Sequence, residues 1–148
     1  MSETALWALF KRHMSKHGHW ERVENGTMKG MPDVVGLINL GGSIRCTQTI
    51  WIELKRVPDW PQVEHTELKI KHFTNEQRVW HREWSYCGGK SFVFLKVEKP
   101  DNYLLFNNPN LQQLGHANKM DTIALALSTW KGSFNGEYLI HQLRKYSH

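Results

Sequence analysis

The sequence predicts an α/β fold in which a central mixed β-sheet is flanked by helices. A strand-like segment at 33–40 is joined through Gly41-Gly42 to a β-branched and aromatic segment at 47–55, which predicts an antiparallel hairpin. A helical segment at 74–86 and an apolar strand at 91–97 then follow. A strand, a helix and a second strand in this order predict a parallel pair, so the sheet should contain both strand directions.

The bulk composition predicts one folded domain spanning residues 1–148. The chain has 148 residues, of which 40% are hydrophobic, and this is a normal size for one buried core. No apolar run approaches the roughly 18–20 residues of a membrane span. The N-terminus carries no basic-then-apolar signal, so we expect a cytoplasmic protein. Cys46 and Cys87 have no metal-type spacing and are predicted to be free thiols with a structural role.

The charge balance permits binding to a polyanion without requiring it. The net charge is +5, from 19 basic and 14 acidic residues. Nine histidines are present, and none stands at a zinc-like spacing from the cysteines. His13 and His17 are four residues apart, which suits either a metal ligand pair on a helix or a solvated helix face. The solvated face is the favoured interpretation.

Residues 2–17 predict the first helix. Ser2 can cap it, apolar residues recur at helical spacing, and Gly18 suits its end. Glu3 lies in the first turn, where the helix dipole favours a carboxylate whatever else the residue does. A short strand at 19–24 and a glycine-bearing loop at 25–30 follow.

The second half predicts a strand, a helix and further short elements. Residues 56–73 form a long connection, and Thr74 with Gln77 makes a capping-box pattern that begins the next helix. The later segments are predicted as strands at 91–97 and 103–106, and as helices at 109–115, 122–130 and 138–146. Alternation at 122–130 also suits a strand, but its alanines and leucines favour a helix. Residues 98–148 carry no motif with a recognisable role and could serve as core cover, a dimer surface or a DNA contact.

One pair of segments carries the functional signal. Asp33 directly follows Pro32 at the start of one strand, and Glu53 and Lys55 lie on the next strand. Alternation in a strand places Trp51, Glu53 and Lys55 on one side, with the residues between them turned into a core. The hairpin brings Asp33 alongside Glu53. Two carboxylates in close proximity favour a divalent cation, and Mg²⁺ suits oxygen ligands of this kind.

Pro32-Asp33, followed on the next strand by Glu53-Leu54-Lys55, resembles the PD-(D/E)XK nuclease superfamily. Within it the sequence is similar to the small phage VRR-NUC and Holliday-junction-resolvase-like branch, over a catalytic core of about residues 1–97. The pairs Pro58-Asp59 and Pro100-Asp101 lie after Glu53 and cannot supply the upstream acid. The resemblance implies a restriction-endonuclease-like fold and a Mg²⁺-dependent endonuclease that hydrolyses DNA phosphodiester bonds.

The resemblance also implies roles for individual residues. Asp33, Glu53 and the backbone carbonyl of Leu54 would hold Mg²⁺, for which Mn²⁺ would substitute. Lys55 would orient or deprotonate the attacking water or offset developing charge, and Gln77 would sit beside the metal site. No organic cofactor is expected.

Glu3 matches the acid that many resolvase-like members carry on their first helix, facing the metals. Candidate nucleic-acid contacts are Lys29, Arg56, Trp60, Lys69 and Lys71. Trp60 could stack on the substrate or pin the long connection onto the body, and the second interpretation is favoured.

No sequence-reading module is recognisable, which favours structure-selective cutting of branched DNA or a Holliday junction. Cutting a junction twice implies a homodimer. If the chain is phage-encoded, its location is the host-cell cytoplasm. The alternatives are a sequence-specific homing or restriction-type endonuclease and a non-catalytic nucleic-acid-binding subunit.

Overall fold

The computed structural model describes residues 2–23, 29–41 and 46–148. Within these ranges, six strands form one sheet whose spatial order follows the chain. They are β1 His19–Arg22, β2 Val34–Asn39, β3 Thr47–Val57, β4 Lys90–Glu98, β5 Asp101–Asn107 and β6 Ser128–Lys131. The pair β3–β4 is parallel and the other neighbouring pairs are antiparallel. The predicted mixed sheet flanked by helices is therefore confirmed.

The helices are α1 Glu3–Met14, α2 Asn75–Tyr86, α3 Lys119–Leu125 and α4 Gly136–Lys145, with a 3-10 helix at Asn110–Gln113. The Ser2 side chain caps α1 by accepting a hydrogen bond from the Ala5 amide at 3.1 Å. The helix ends at Met14, and a turn follows before Gly18. Among the described residues, no helix has the length and apolar character needed to span a membrane. The predicted turn residue Gly42 and most of the predicted 25–30 loop lie outside the described residues.

The sheet has two different faces, each with its own apolar core. Successive β3 side chains contribute to one core and then the other, because they point to opposite sides of the strand. The first core, on the side of α1 and α4, includes Leu6, Phe10, Ile52, Leu54 and Leu139. The second core, on the opposite side, includes Val57, Trp60, Phe73, Val93 and Leu95. Trp51 contacts Trp80 and Trp84 of α2, which places it on the same side as Glu53.

The predicted helix at 122–130 is wrong in its second half. The structure ends α3 at Leu125, and β6 begins at Ser128 and pairs with β5. The Leu127 amide donates to the Leu105 carbonyl at 2.7 Å, which joins the segment to the sheet. Pairing with an available sheet edge outweighs the helical preference of the intervening alanine and leucine, because tertiary context overrides intrinsic propensity.

The C-terminal third completes the fold. Strands β5 and β6 extend the sheet beyond β4, and α4 packs beside α1. Leu139, Ile140 and Leu143 of α4 are all buried in the first core. Residues 98–148 therefore supply core cover.

Candidate active site

Asp33 is fixed beside β3 by a hydrogen bond from a main-chain amide of that strand to its side chain. In the antiparallel pairing of β2 and β3, Val34 lies opposite Ile52. Continuing this register sets Pro32 opposite Leu54, and the ladder stops there because proline has no N–H to donate. Asp33 Oδ1 takes the place of a ladder partner and accepts from the Leu54 amide at 3.1 Å.

The same register defines the position of the Leu54 carbonyl. The N–H and C=O of one residue in an antiparallel ladder point toward the same neighbouring strand. Since the Leu54 N–H points toward Asp33, its carbonyl oxygen also lies on the β2 side. The position opposite it is Pro32, which offers no ladder N–H. A main-chain oxygen and the Asp33 carboxylate therefore share one corner of the sheet.

Glu53 and Lys55 are buried together on the α2 side of the sheet, each with 3% of its surface exposed. Glu53 Oε1 lies 3.2 Å from Lys55 Nζ and also accepts from Gln77 Nε2 at 3.1 Å. The other oxygen, Oε2, is buried and has no hydrogen-bond partner among the described residues. An unmatched carboxylate oxygen of this kind is costly in a protein interior unless it gains a proton or a cation.

The electrostatics of the acid pair favour a cation. Burial raises the pKa of Asp33, and its hydrogen bond from Leu54 only partly opposes that rise. Burial, followed by repulsion from Asp33, raises the pKa of Glu53 to about 8. The Lys55 ammonium lowers both values but does not cancel the burial effect. Near neutral pH the pair is therefore unstable as two bare carboxylates, and a divalent cation would relieve the repulsion.

Gln77 serves the helix and the acid pair at once. Its Oε1 accepts from the Thr74 amide at 2.9 Å, while Thr74 Oγ1 accepts from the Gln77 amide, which completes the predicted capping box. The Nε2 group remains available for Glu53. Gly30, at φ +85, lies against this helix start so closely that a methyl group there would collide with the Glu76 carbonyl oxygen. The loop entering Asp33 is thus packed against α2.

Sequence reasoning missed two histidines beside Lys55. The His72 carbonyl accepts from Lys55 Nζ at 2.9 Å, a main-chain contact that no residue type in the sequence marks. His81 is fully buried on α2, and burial together with the Lys55 charge lowers its pKa to about 4. Its Nδ1 pairs with Ser91 Oγ at 2.7 Å. The four-residue spacing from Gln77 is a signal that could have placed His81 on the site-facing side of α2.

Glu3 is close enough to influence the acid pair, but it does not join it. Its charge raises the pKa values of Asp33 and Glu53. In the described part of the chain, no group of three or more histidine, cysteine, aspartate or glutamate side chains is arranged to hold a metal ion. The role of Glu3 as a direct metal ligand stays a prediction. Helix α1 packs on the face of the sheet opposite Glu53.

The candidate nucleic-acid contacts have different surroundings. Trp60 is only 8% exposed and is packed in the second core, which supports the favoured interpretation that its ring pins the connection onto the body, and its contact with nucleic acid stays a prediction. Arg56 pairs with Glu98 at 2.9 Å, and this hydrogen bond lowers the pKa of Glu98 to about 2. Lys69 pairs with Glu67 at 2.7 Å. Lys29 and Lys71 are exposed.

The remaining histidine and cysteine predictions concern sites away from the acid pair. His13 packs against the Phe134 ring, and the His17 side chain is only 9% exposed, with its Nε2 3.7 Å from Glu137. The predicted solvated face is therefore wrong for His17, which lies against the start of α4. Cys46 and Cys87 are free, as predicted, but both are exposed.

Comparison with known proteins adds no assignment. No protein-family model matches the chain, and no curated protein matches it significantly. The sequence motif and the geometry of the acid pair are therefore the features that bear on function.

Proposed function

We propose that this protein is a Mg²⁺-dependent endonuclease that hydrolyses DNA phosphodiester bonds, with Mn²⁺ able to substitute. The observation that carries the proposal is the Asp33–Glu53 pair, in which Asp33 is half-buried and Glu53 is buried, with one Glu53 oxygen unpartnered while the other is held by Lys55 and Gln77. An ordinary surface ion pair between Glu53 and Lys55 would not be buried to this degree or face a second acid.

The donor set suits Mg²⁺. Asp33, Glu53 through Oε2, and the Leu54 carbonyl would hold the ion, and all three are the oxygen ligands that Mg²⁺ prefers. With so few protein ligands, several positions remain for water and phosphate oxygens. When bound, the ion supplies charge stabilisation at the phosphate and lowers the pKa of a bound water.

The neighbouring side chains would have separate roles in the reaction. Gln77 and Lys55 hold Glu53 Oε1, which leaves Oε2 as the oxygen available to a cation. The Lys55 ammonium is positioned to orient the attacking water or to offset charge that develops on the phosphate. Glu3, if it faces the pair, would hold the ion or its water shell.

The substrate can be proposed only as a class of DNA structure. The net charge of +5 and the exposed Lys29 and Lys71 favour contacts to the DNA backbone. Backbone contacts alone select shape rather than sequence, so we infer a preference for branched DNA such as a Holliday junction. Paired cuts in a junction would require a homodimer. The proposed location is the cytoplasm, which is that of the host cell if the chain is phage-encoded.

The first experiment tests catalysis with a matched control. Asp33→Asn keeps the shape of the side chain but removes its charge, and we expect it to abolish cutting while DNA binding persists. Asp59 belongs to the other Pro-Asp pair nearby and is exposed, so Asp59→Asn should cut at the wild-type rate. Lys55→Ala should also abolish cutting, with circular dichroism used to confirm folding. Full-rate cutting by Asp33→Asn would remove the catalytic assignment.

The second experiment separates the alternatives. Four-way junctions, flaps, linear duplex and single strands are incubated with the protein and Mg²⁺, Mn²⁺ or chelator. Metal-dependent cutting of junctions or flaps supports the proposal. Cutting of linear duplex at one defined sequence would favour a homing or restriction-type enzyme. Binding without metal-dependent cutting of any substrate would favour a nuclease-like binding subunit.

A further inference from the structure

The turn that precedes α2 contains a strained residue. The Phe73 amide donates to the Ile70 carbonyl at 3.2 Å, which closes a turn with Lys71 and His72 at its centre. His72 has φ +69 and is the one non-glycine residue with a positive φ in the described ranges. This left-handed region is unfavourable for residues with a Cβ, although histidine occurs there more often than most.

The strained conformation directs a backbone atom into the site. The His72 carbonyl accepts from Lys55 Nζ, while its imidazole belongs to an exposed residue. The turn is anchored on both sides, because Ile70 and Phe73 are buried in the second core. Strained backbone persists only where its surroundings enforce it, and such residues concentrate at functional sites.

We propose that His72 is a positioning residue for Lys55, acting through its left-handed backbone rather than through its imidazole. The buried ammonium has two acceptors here, Glu53 Oε1 and the His72 carbonyl. Glu53 alone would leave Lys55 free to swing about one contact. The second acceptor, on the rigid turn, fixes the direction of the ammonium and therefore of its remaining N–H. The catalytic consequence rests on the proposed nuclease function.

Substitutions that separate backbone from imidazole test this role. His72→Gly and His72→Asn lose the imidazole but accept a positive φ, so both should keep kcat within about twofold of wild type. His72→Val resists this conformation and should lower kcat roughly ten- to hundredfold, the range for losing a hydrogen bond to a charged group, with KM little changed. The kcat of His72→Ala should fall between these limits, and this variant provides the test if His72→Val does not fold.

The control is His65→Val, which makes the same chemical change at an exposed position of the same connection with negative φ and should cut normally. Thermal unfolding sets an assay temperature at which every variant is folded. Loss of kcat in His72→Gly and His72→Asn equal to that in His72→Val would show that the imidazole matters and would overturn the proposal. Full activity of both His72→Val and His72→Ala would overturn it equally.

A second readout does not depend on cutting. In lysine-labelled protein, the NMR signal of the Lys55 ammonium should be protected from solvent exchange in wild type, His72→Gly and His72→Asn. It should broaden or vanish in His72→Val and His72→Ala. If wild type cuts no DNA but this pattern holds, the nuclease assignment fails while the positioning role stands. An unprotected Lys55 ammonium in wild type would sink the positioning role whether or not DNA is cut.

Discussion

The dependence of stability on pH provides a direct test of the buried acid pair. The perturbation is Glu53→Gln, which keeps the shape of the side chain and removes its titration. In metal-free wild type the pKa of Glu53 is raised from 4.5 to about 8, first by burial and then by Asp33. The folded protein therefore binds a proton more tightly than the unfolded chain. This stability is fully present below pH 4.5 and is lost as the pH rises through about 8.

The magnitude follows from linkage. Each pH unit between the two pKa values changes the free energy of unfolding by about 1.4 kcal/mol for one group. His81 acts in the opposite direction, since burial lowers its pKa from 6.5 to about 4 and its stability contribution is lost as the pH falls through that interval. The effects of Glu53 and His81 oppose each other below pH 6.5. From pH 6.5 to 8 only the Glu53 effect remains of these two, and it should lower the stability by about 2 kcal/mol.

The assay is urea denaturation at pH 6.5, 7, 7.5 and 8 in chelator, with wild type and Glu53→Gln measured side by side. The difference between the two curves reports the titration of Glu53 together with its coupling to Asp33, while the contributions of groups far from the pair cancel. Burial also raises the pKa of Asp33, so the sign of its contribution to the pH dependence is the same. Adding Mg²⁺ should stabilise wild type more at pH 8 than at pH 6.5, because the cation binds the deprotonated pair.

Two outcomes would refute this reasoning. Parallel wild-type and Glu53→Gln curves from pH 6.5 to 8 would show that Glu53 does not titrate in this range, and hence that its environment is not the one described. A Mg²⁺ effect that is absent or independent of pH would show that the acid pair does not bind the ion. The second result would leave the buried pair intact but remove the metal site.

Three further predictions concern the supports of the site. Gly30→Ala should cost more stability than Gly41→Ala, because both have positive φ but only Gly30 would collide with α2, and urea midpoints compare them directly. Gln77→Ala and Thr74→Ala should each cost about 1 kcal/mol through the capping box, yet only Gln77→Ala should slow metal-dependent cutting. Trp60→Ala should lower stability by about 3–5 kcal/mol while the folded fraction keeps wild-type DNA affinity, and a selective loss of affinity would identify Trp60 as a DNA contact.

The parts of the fold that depend on local patterns could be predicted from the sequence. The capping box at Thr74, the alternation of β3 and the hairpin preceding it each express a short-range rule. The segment at 122–130 could not, because its local preference and its sheet pairing disagree. Only the free edge of β5, which the sequence does not reveal, decides that β6 forms there.

The candidate site divides in the same way. Alternation and the hairpin predict that Asp33, Glu53 and Lys55 converge, since side-chain direction follows from strand position. Two further groups that complete the site are not side chains. The Leu54 amide and the His72 carbonyl are main-chain groups, which every residue possesses, so no residue type marks them. Their roles come from the missing N–H of Pro32 and from one left-handed torsion angle. A site finished by backbone atoms can therefore tolerate a change of side chain at His72, but not a change of backbone conformation there.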